Sequence, residues 1–294
     1  MKIAFLTAAC MLKGHPNLRE DHWEHDFEFV PMHAACLHRG IDLQTVVWDD
    51  PELDILAFDA CVIGTTWDYT EKAEVFLATL QQFTAQRPLL NPLSVVRWNI
   101  KKTYLKDLAE RGVPVVPTLW RQRADAQIIA RAFDELGVDE IVVKPVLGAS
   151  SWRQVRLKRG QPLTDAEQLP PAEAMIQPFL NVVTTEGEFS FLFFDREFSH
   201  CAQKLPQAGD YRVQAMYGGR ERVYQPSSAE LALARKVLDA VEEPLLYARV
   251  DMLRQANGDL ALMELELIDP YLYPEQGPQM GDMFDDALNR MLRR

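Results

Sequence analysis

The sequence predicts an α/β protein whose C-terminal part becomes α+β. Three observations carry this. Over the first ninety residues short apolar strands alternate with amphipathic helices, the pattern of an open, mostly parallel sheet. Further on, strand-like runs follow one another across short turns around Asp195-Arg196 and Asn257-Gly258, as antiparallel hairpins do. Hydrophobic residues make up 48% and charged residues 25% of the 294, enough for a sizeable core and for two or three compact units.

Residues 2–8 read as a buried strand. A segment rich in His and acidic residues follows, then a helix over about 26–39 closed by Gly40. Residues 43–48 and 58–64 are the next strands, and 71–86 is helical by periodicity. In a parallel sheet the ligand edge lies at the carboxyl ends of the strands, which places Thr65, Thr66, Trp67, Asp68 and Tyr69 there. His22, Glu24, His25 and Asp26 are metal-ligand types, but the two histidines stand three apart. A solvent-exposed helix start or a substrate loop is expected instead.

Residues 99–112 form an amphipathic helix in this reading, 113–118 are β-like, and 124–136 are helical. Residues 140–147 are a strand with one charge, Lys144, in an apolar run; that lysine must meet an anion or reach solvent. Gly148, Ala149, Ser150 and Ser151 then lead to a strand over 152–157. A small-residue loop between strands can fold its backbone N–H groups over phosphate oxygens. Residues 174–179 are a further strand, and 189–194 with 197–203 form a hairpin. Lys204, Asp210 and Arg212 follow, and 227–241 is a helix with Ser227 and Glu230 placed as a capping box. The last helix runs to about 291.

The stretch 246–270 carries the chemistry. With Asn257-Gly258 as a two-residue type I′ turn, Arg254 opposes Ala261, Asp251 opposes Glu264 and Arg249 opposes Glu266. Arg249, Asp251, Glu264 and Glu266 then share one face, and Ala248, Val250, Met252, Met263, Leu265 and Leu267 the other. Opposed like charges destabilise a hairpin, so three carboxylates with one arginine call for a cation. Oxygen donors at this spacing suit Mg²⁺. The bland alternative is a solvated polar face balanced by Arg249.

A net charge of −12 argues against a nucleic-acid partner, which needs a basic stripe. No apolar stretch is long enough to span a bilayer, and the N-terminal run reads as a first strand rather than a lipoprotein signal. Cys10, Cys36, Cys61 and Cys201 lie in apolar runs with no CxxC spacing, which fits buried thiols in a reducing cytoplasm.

Together these residues resemble a known family. The segment 91–270 is similar to the ATP-grasp ligases, and within them to the glutathione-synthetase-like branch. Asn99-x-x-Lys102 resembles the helix that brings the first phosphate-binding lysine, and Lys144-Pro145 the strand lysine at the nucleotide. Gly148, Ser150 and Ser151 sit where the family has its flexible loop. Gln177, Phe179 and Leu180 resemble the hinge whose backbone reads adenine, with Glu186 or Glu188 at the ribose. Lys204-x-Pro206, Arg212-x-Gln214 and Gly218-Gly219 resemble the RxP, RxN and GG series, and Asp251, Glu264 and Glu266 the metal ligands. The chain departs from the pattern with one glycine in the loop, lysine at 204, glutamine at 214 and Glu266 where asparagine is usual. These departures weigh against a glutathione substrate. Trp67-Asp68-Tyr69, Asn91-Pro92 with Val96-Arg97-Trp98-Asn99, Ser199-His200, Gly209-Asp210-Tyr211-Arg212 and residues 264–270 look closer to the cyclo-ligase type of D-cycloserine synthesis.

The resemblance implies an ATP-grasp fold: an N-terminal parallel-sheet domain at 1–92, a lid-bearing subdomain at 93–180, and a C-terminal domain with the metal site at 181–294. It implies ATP and one or two Mg²⁺ ions, with Mn²⁺ as a substitute, and Lys204, Arg212 and Arg249 as catalytic residues. A small amino-acid-like substrate would form an acyl phosphate that an amine attacks, between two molecules or by ring closure. A homodimer follows from the family alone. A phosphotransferase that stops at phosphoryl transfer, or a nucleotide-binding module without turnover, stays open.

Overall fold

The computed structural model describes residues 1–149, 151–161, 163 and 168–294; Ser150 lies outside the described residues. Strands β1 (Lys2–Thr7), β2 (Asp42–Val47), β3 (Ala60–Ile63) and β4 (Leu89–Leu90) form a parallel sheet in the order β2-β1-β3-β4. Strands β5 (Leu119–Arg121), β6 (Glu140–Pro145), β7 (Val155–Lys158) and β8 (Ala174–Pro178) form an antiparallel sheet ordered β5-β8-β6-β7. A five-stranded antiparallel sheet, ordered β11-β10-β9-β12-β13, holds β9 (Glu188–Phe194), β10 (Glu197–Leu205), β11 (Arg220–Tyr224), β12 (Tyr247–Arg254) and β13 (Leu260–Glu266).

The centre is β9, buried along its whole length. Alternation sends Phe189, Phe191 and Phe193 to one side, against the helix Ser228–Asp239 and Leu105 and Leu108. Leu192 and Phe194 go to the other, against Phe284 and Leu288 of the C-terminal helix Met280–Leu292 and, beyond them, the parallel sheet. That helix approaches Trp23–His38 closely at Gly281, where a Cβ would lie 2.5 Å from the Pro31 carbonyl oxygen. Glu28 accepts from the Leu272 N–H at 2.5 Å, so the same helix is tied to the loop after β13.

Local chemistry explains most elements. Asp195 and Arg196 both take positive φ, 45° and 66°, as a two-residue hairpin turn requires. Ser227 and Glu230 form the expected capping box. Of the expected helix over 99–112 the part Tyr104–Glu110 forms, and a separate helix, Leu93–Asn99, ends where it was expected to begin. The break has a tertiary cause. The Asn99 side chain donates to the Leu265 carbonyl at 2.8 Å and accepts from the Leu267 N–H at 3.0 Å, pairing with the open edge of β13. Asn91 does the same between Leu246 and Leu267. The β-like stretch 113–118 gives only a bridge from Val115 to Leu262, and the strand lies later, at β5.

The 246–270 hairpin differs from expectation in two compensating ways. Its turn spans three residues between Gln255 and Asp259, with positive φ at Gly258 and not at Asn257, so Arg254 faces Leu260 rather than Ala261. A bulge at Met263 then restores the register, so Asp251 faces Glu264 and Arg249 faces Glu266 as expected. Met263 leaves the core face and joins Leu253 beside Val142 and Phe179.

His200, read as a satisfied strand histidine, is one: Nε2–H donates to the Leu272 carbonyl at 2.9 Å and Nδ1 lies 2.8 Å from the Ser199 hydroxyl. A Cβ on Gly277 would stand 2.1 Å from that Nδ1. Gly277→Ala is therefore expected to cost about 1–3 kcal/mol, since the pinned ring has no free rotation to yield. Urea denaturation checks this, and an unchanged midpoint would contradict it.

Candidate active site

One cleft gathers residues from the two antiparallel sheets and from the segments around Glu24 and Trp67 beside the parallel one. Its blind end is an apolar slot of Val142, Phe179, Leu180, Leu253 and Met263. The bulge that turns Met263 outward is what completes this slot. The Arg156 guanidinium covers the Phe179 ring at 3.6 Å, and Tyr211 meets the same ring edge-on. Gln177 lines the slot while its side-chain amide donates to the Thr118 hydroxyl at 2.9 Å. The Phe179 N–H is already bonded to the Glu140 carbonyl at 2.9 Å. The Leu180 N–H has no acceptor among the described residues, so of the two it is the one free to read a ligand.

Next along the cleft stand the lysines. The break after Asn99 turns Lys102 inward, where its ammonium donates to Glu264 at 2.5 Å and to the Gly148 carbonyl at 2.8 Å. Lys144, from β6, opens into the cleft with no carboxylate within ion-pair distance among the described residues. Burial lowers its pKa. Gly148 packs where a Cβ would lie 2.9 Å from the Pro145 ring, and the Ser151 hydroxyl reaches Gln214 at 3.2 Å.

The charged hairpin face forms the floor. Asp251 is 1% exposed and Arg249 7%, so this is no solvated face. Arg249 binds Asp251 at 3.0 Å, Glu266, and the Tyr271 carbonyl at 3.0 Å. Asp251 also accepts from the Ser190 hydroxyl at 2.5 Å and lies 3.5 Å from Lys204, which pairs with Glu188. Burial alone would raise Asp251, but Arg249 and Lys204 outweigh it and hold the carboxyl below its ordinary pKa. Glu264 is likewise held down, its burial outweighed by Lys102. Burial pushes Glu266 up to about 8, past what Arg249 offsets. The sequence argument for a cation was thus incomplete. Each carboxylate has a protein partner, and Lys102 and Lys204 come from far along the chain. Among the described residues no three acidic, His or Cys side chains are gathered as a ready metal site.

Arg212 also lines the cleft, bound to Asp210 at 2.7 Å and lying over the Tyr217 ring at 3.8 Å; Arg212 holds the Asp210 carboxyl down at about 2. Glu186 pairs with Arg254 at 2.8 Å outside the cleft, leaving Glu188 as the nearer acid.

The remaining wall was read from the sequence only in part, at Trp67 and Tyr69. Asp21, Glu24, Trp67, Tyr69, Asp269, Tyr271 and Tyr273 close the cleft opposite the slot. Glu24 and His25, expected on an exposed helix start, are 8% and 4% exposed. Burial first, then Asp21, pushes Glu24 up to about 8, and burial pushes Asp269 up to about 7. The available signal was the placement of Thr65–Tyr69 at the strand ends: Thr66 donates to Asp269 at 2.9 Å, and the Trp67 indole donates to the Asp269 carbonyl at 3.0 Å.

Comparison with known proteins agrees with this architecture. Residues 3–91 match the family described as the N-terminal domain of D-cycloserine synthetase DcsG. The chain is 31% identical over 262 residues to the cycloserine biosynthesis protein DcsG of Streptomyces lavendulae, covering 84% of this chain and 88% of that one. It is 28% identical over 197 residues to the glutathione synthetase of Prochlorococcus marinus (strain MIT 9313), covering 57% and 61%. The crystal structure of D-cycloserine synthetase DcsG superposes with a TM-score of 0.86 at 28% identity, over 99% of this chain and 100% of that one. D-alanine–D-alanine ligase from Bacillus anthracis shares the fold, with a TM-score of 0.69 at 16% identity over 100% and 98%. The chain belongs to the DcsG family of ATP-grasp ligases, enzymes that form carbon–nitrogen bonds. Among its described residues no helix is long and apolar enough to cross a membrane.

Proposed function

We propose that this ligase activates the carboxylate of a small amino acid with ATP and closes a ring on it; a relative that is similar over most of the chain is named D-cycloserine synthetase. The carrying observation is Lys144, an ammonium with no anionic partner among the described residues, set between an apolar slot and a floor of carboxylates. A nucleotide fits that sequence of surfaces. Its base enters the slot and meets the free Leu180 N–H, and its phosphates meet Lys144 and Lys102. Glu188 is the acid for the ribose rather than Glu186, and the segment bearing Gly148 and Ser151 closes over the phosphates.

Asp251, Glu264 and Glu266 present hard oxygen donors on one face, which fits Mg²⁺, with Mn²⁺ able to replace it. A bound Mg²⁺ supplies neutralisation of phosphate charge. Arg249, Arg212 and Lys204 provide the fixed positive charge of the floor. The substrate carboxylate oxygen attacks the γ-phosphorus, ADP leaves, and an acyl phosphate forms. The amine then attacks the acyl carbon, phosphate departs with the C–O electron pair, and the nitrogen loses its proton to solvent. Within the cleft the protein holds the ends of the substrate together and keeps water away. The same reading divides the chain at about 92 and 180, since each sheet lies within one segment. It also places the enzyme in the cytoplasm, where Cys36, Cys61 and Cys201 stay as free thiols.

D-cycloserine opened at its ring amide is β-aminooxy-D-alanine, which carries both the carboxylate and the attacking nitrogen. The test supplies this compound, ¹⁸O-labelled in its carboxylate, with ATP and Mg²⁺. The expected result is D-cycloserine, ADP and one ¹⁸O in the released phosphate. ADP and D-cycloserine without label in phosphate would rule out the acyl phosphate, and no ring product would rule out this closure.

Lys144→Met is expected to weaken ATP about 10–100-fold by removing a charge-assisted phosphate contact, with the melting temperature unchanged or raised because a half-buried cation without an ion-pair partner is gone. Calorimetry and a thermal melt read both. Unchanged ATP affinity would remove Lys144 from the nucleotide site.

A further inference from the structure

The wall opposite the nucleotide slot holds more carboxyl groups than its neighbouring cations pair with. Arg19 pairs with Asp21 at 2.7 Å, and Arg249 is taken by Asp251 and Glu266. Glu24, Asp269 and Glu221, all lining the cleft, have no lysine or arginine within ion-pair distance among the described residues. Asp269 at least accepts the Thr66 hydroxyl. Glu24 accepts no hydrogen bond from any described residue, although it is only 8% exposed and opens to the cleft. The Glu24 carboxyl therefore has the cleft as its one open side, and the fold holds it firmly. Two residues of the same helix fix its position, as Glu28 accepts the Leu272 N–H and His25 bonds the Thr65 hydroxyl at 2.7 Å. Beside Glu24 the rings of Trp67, Tyr271 and Tyr273 form a chain, with centroids 6.2 Å and 4.9 Å apart, and aromatic faces attract cations.

We infer that Glu24, with Asp269 and the Trp67–Tyr271 rings, is the subsite that receives the substrate's ammonium group and so selects α-amino acids over deaminated carboxylic acids. The inference rests on the amino-acid ring-closing reading above and adds the residues that enforce it. An ammonium supplies the hydrogen bonds that Glu24 lacks and balances the charge of this wall. Its carboxylate end is thereby directed across the cleft, toward Arg249 and the hairpin. Glu24 acts on binding and orientation, not on bond making.

The test uses the full-length protein with saturating ADP and Mg²⁺ and two probes that differ only in the amine, D-cycloserine and isoxazolidin-3-one. Wild type is expected to bind D-cycloserine at least about 10-fold more tightly, the worth of a hydrogen bond to a buried charge. In Glu24→Gln the preference should fall below about 3-fold while ADP affinity stays unchanged and the melting temperature is unchanged or raised, because a largely buried acid with no lysine or arginine paired to it has been replaced. A merely structural Glu24 would instead lower the melting temperature and leave the preference intact. Asp269→Asn, read in the same way, should reduce the preference and serves if Glu24→Gln does not fold. Equal binding of both probes to wild type, or a preference that survives in the variants, overturns the ammonium subsite and leaves the ring-closing reading standing. Wild type that binds ADP with Mg²⁺ but neither ring overturns both.

Discussion

Glu264→Gln is expected to lower the rate of ADP formation about 100–1000-fold while leaving the fold in place. Removing one fixed electrostatic element at a phosphoryl-transfer centre has effects of this size. Glu264 faces Asp251 across the hairpin and holds the Lys102 ammonium at 2.5 Å, so its carboxylate organises both a metal donor and a phosphate-binding cation. The stability cost stays small because neither group is sealed away: their side chains are 23% and 16% exposed, and water can solvate a freed Lys102. The loss should fall on kcat more than on KM for the amino acid, since Glu264 lies on the phosphate side. Steady-state kinetics with a thermal melt checks this. A variant with near wild-type kcat would remove Glu264 from the chemistry.

Arg249→Met is expected to cost about 3–5 kcal/mol of folding stability as well as activity. Arg249 is 7% exposed and neutralises two acids, Asp251 and Glu266, while donating to the Tyr271 carbonyl. Removing it strands buried carboxylates, the costly way to break a buried ion pair. Replacing Asp251 by Asn in the same chain should restore part of that stability and none of the activity. The sign contrasts with Lys144→Met, where a cation without a close partner is removed. Urea denaturation of the three variants separates the cases. A stable Arg249→Met protein would mean that the hairpin acids are solvated rather than held.

What the sequence displayed, and what it hid, follows from the range of the forces involved. The opposition of Asp251 with Glu264 and of Arg249 with Glu266 was legible because alternation along a strand is local. It held even though the turn is one residue longer than Asn257-Gly258 alone implies, since the bulge at Met263 adds one residue to the other strand and the two offsets cancel. Lys144 was legible as a charge inside an apolar run. The partners were not. Lys102 meets Glu264 across a sequence separation of 162, and the helix break that turns it inward exists because Asn99 bonds the edge of β13. Glu24 was hidden for the same reason. It sits among charged and aromatic residues that read as an exposed helix start, and only the packing of that helix against the loop at Leu272 buries it. The Glu186 partner was equally hidden, since Arg254 lies 68 residues away in sequence.

The most direct measurement is calorimetric titration of ATP with and without Mg²⁺, into wild type and into the Asp251→Asn, Glu264→Gln double variant. If the hairpin face is the metal and phosphate platform, wild type binds ATP far more tightly with Mg²⁺, and the double variant loses that dependence while still accepting ATP weakly through the slot and Lys144. Equal binding with and without Mg²⁺, unchanged in the double variant, would contradict it and leave the hairpin carboxylates as partners of Lys102, Lys204 and Arg249 alone.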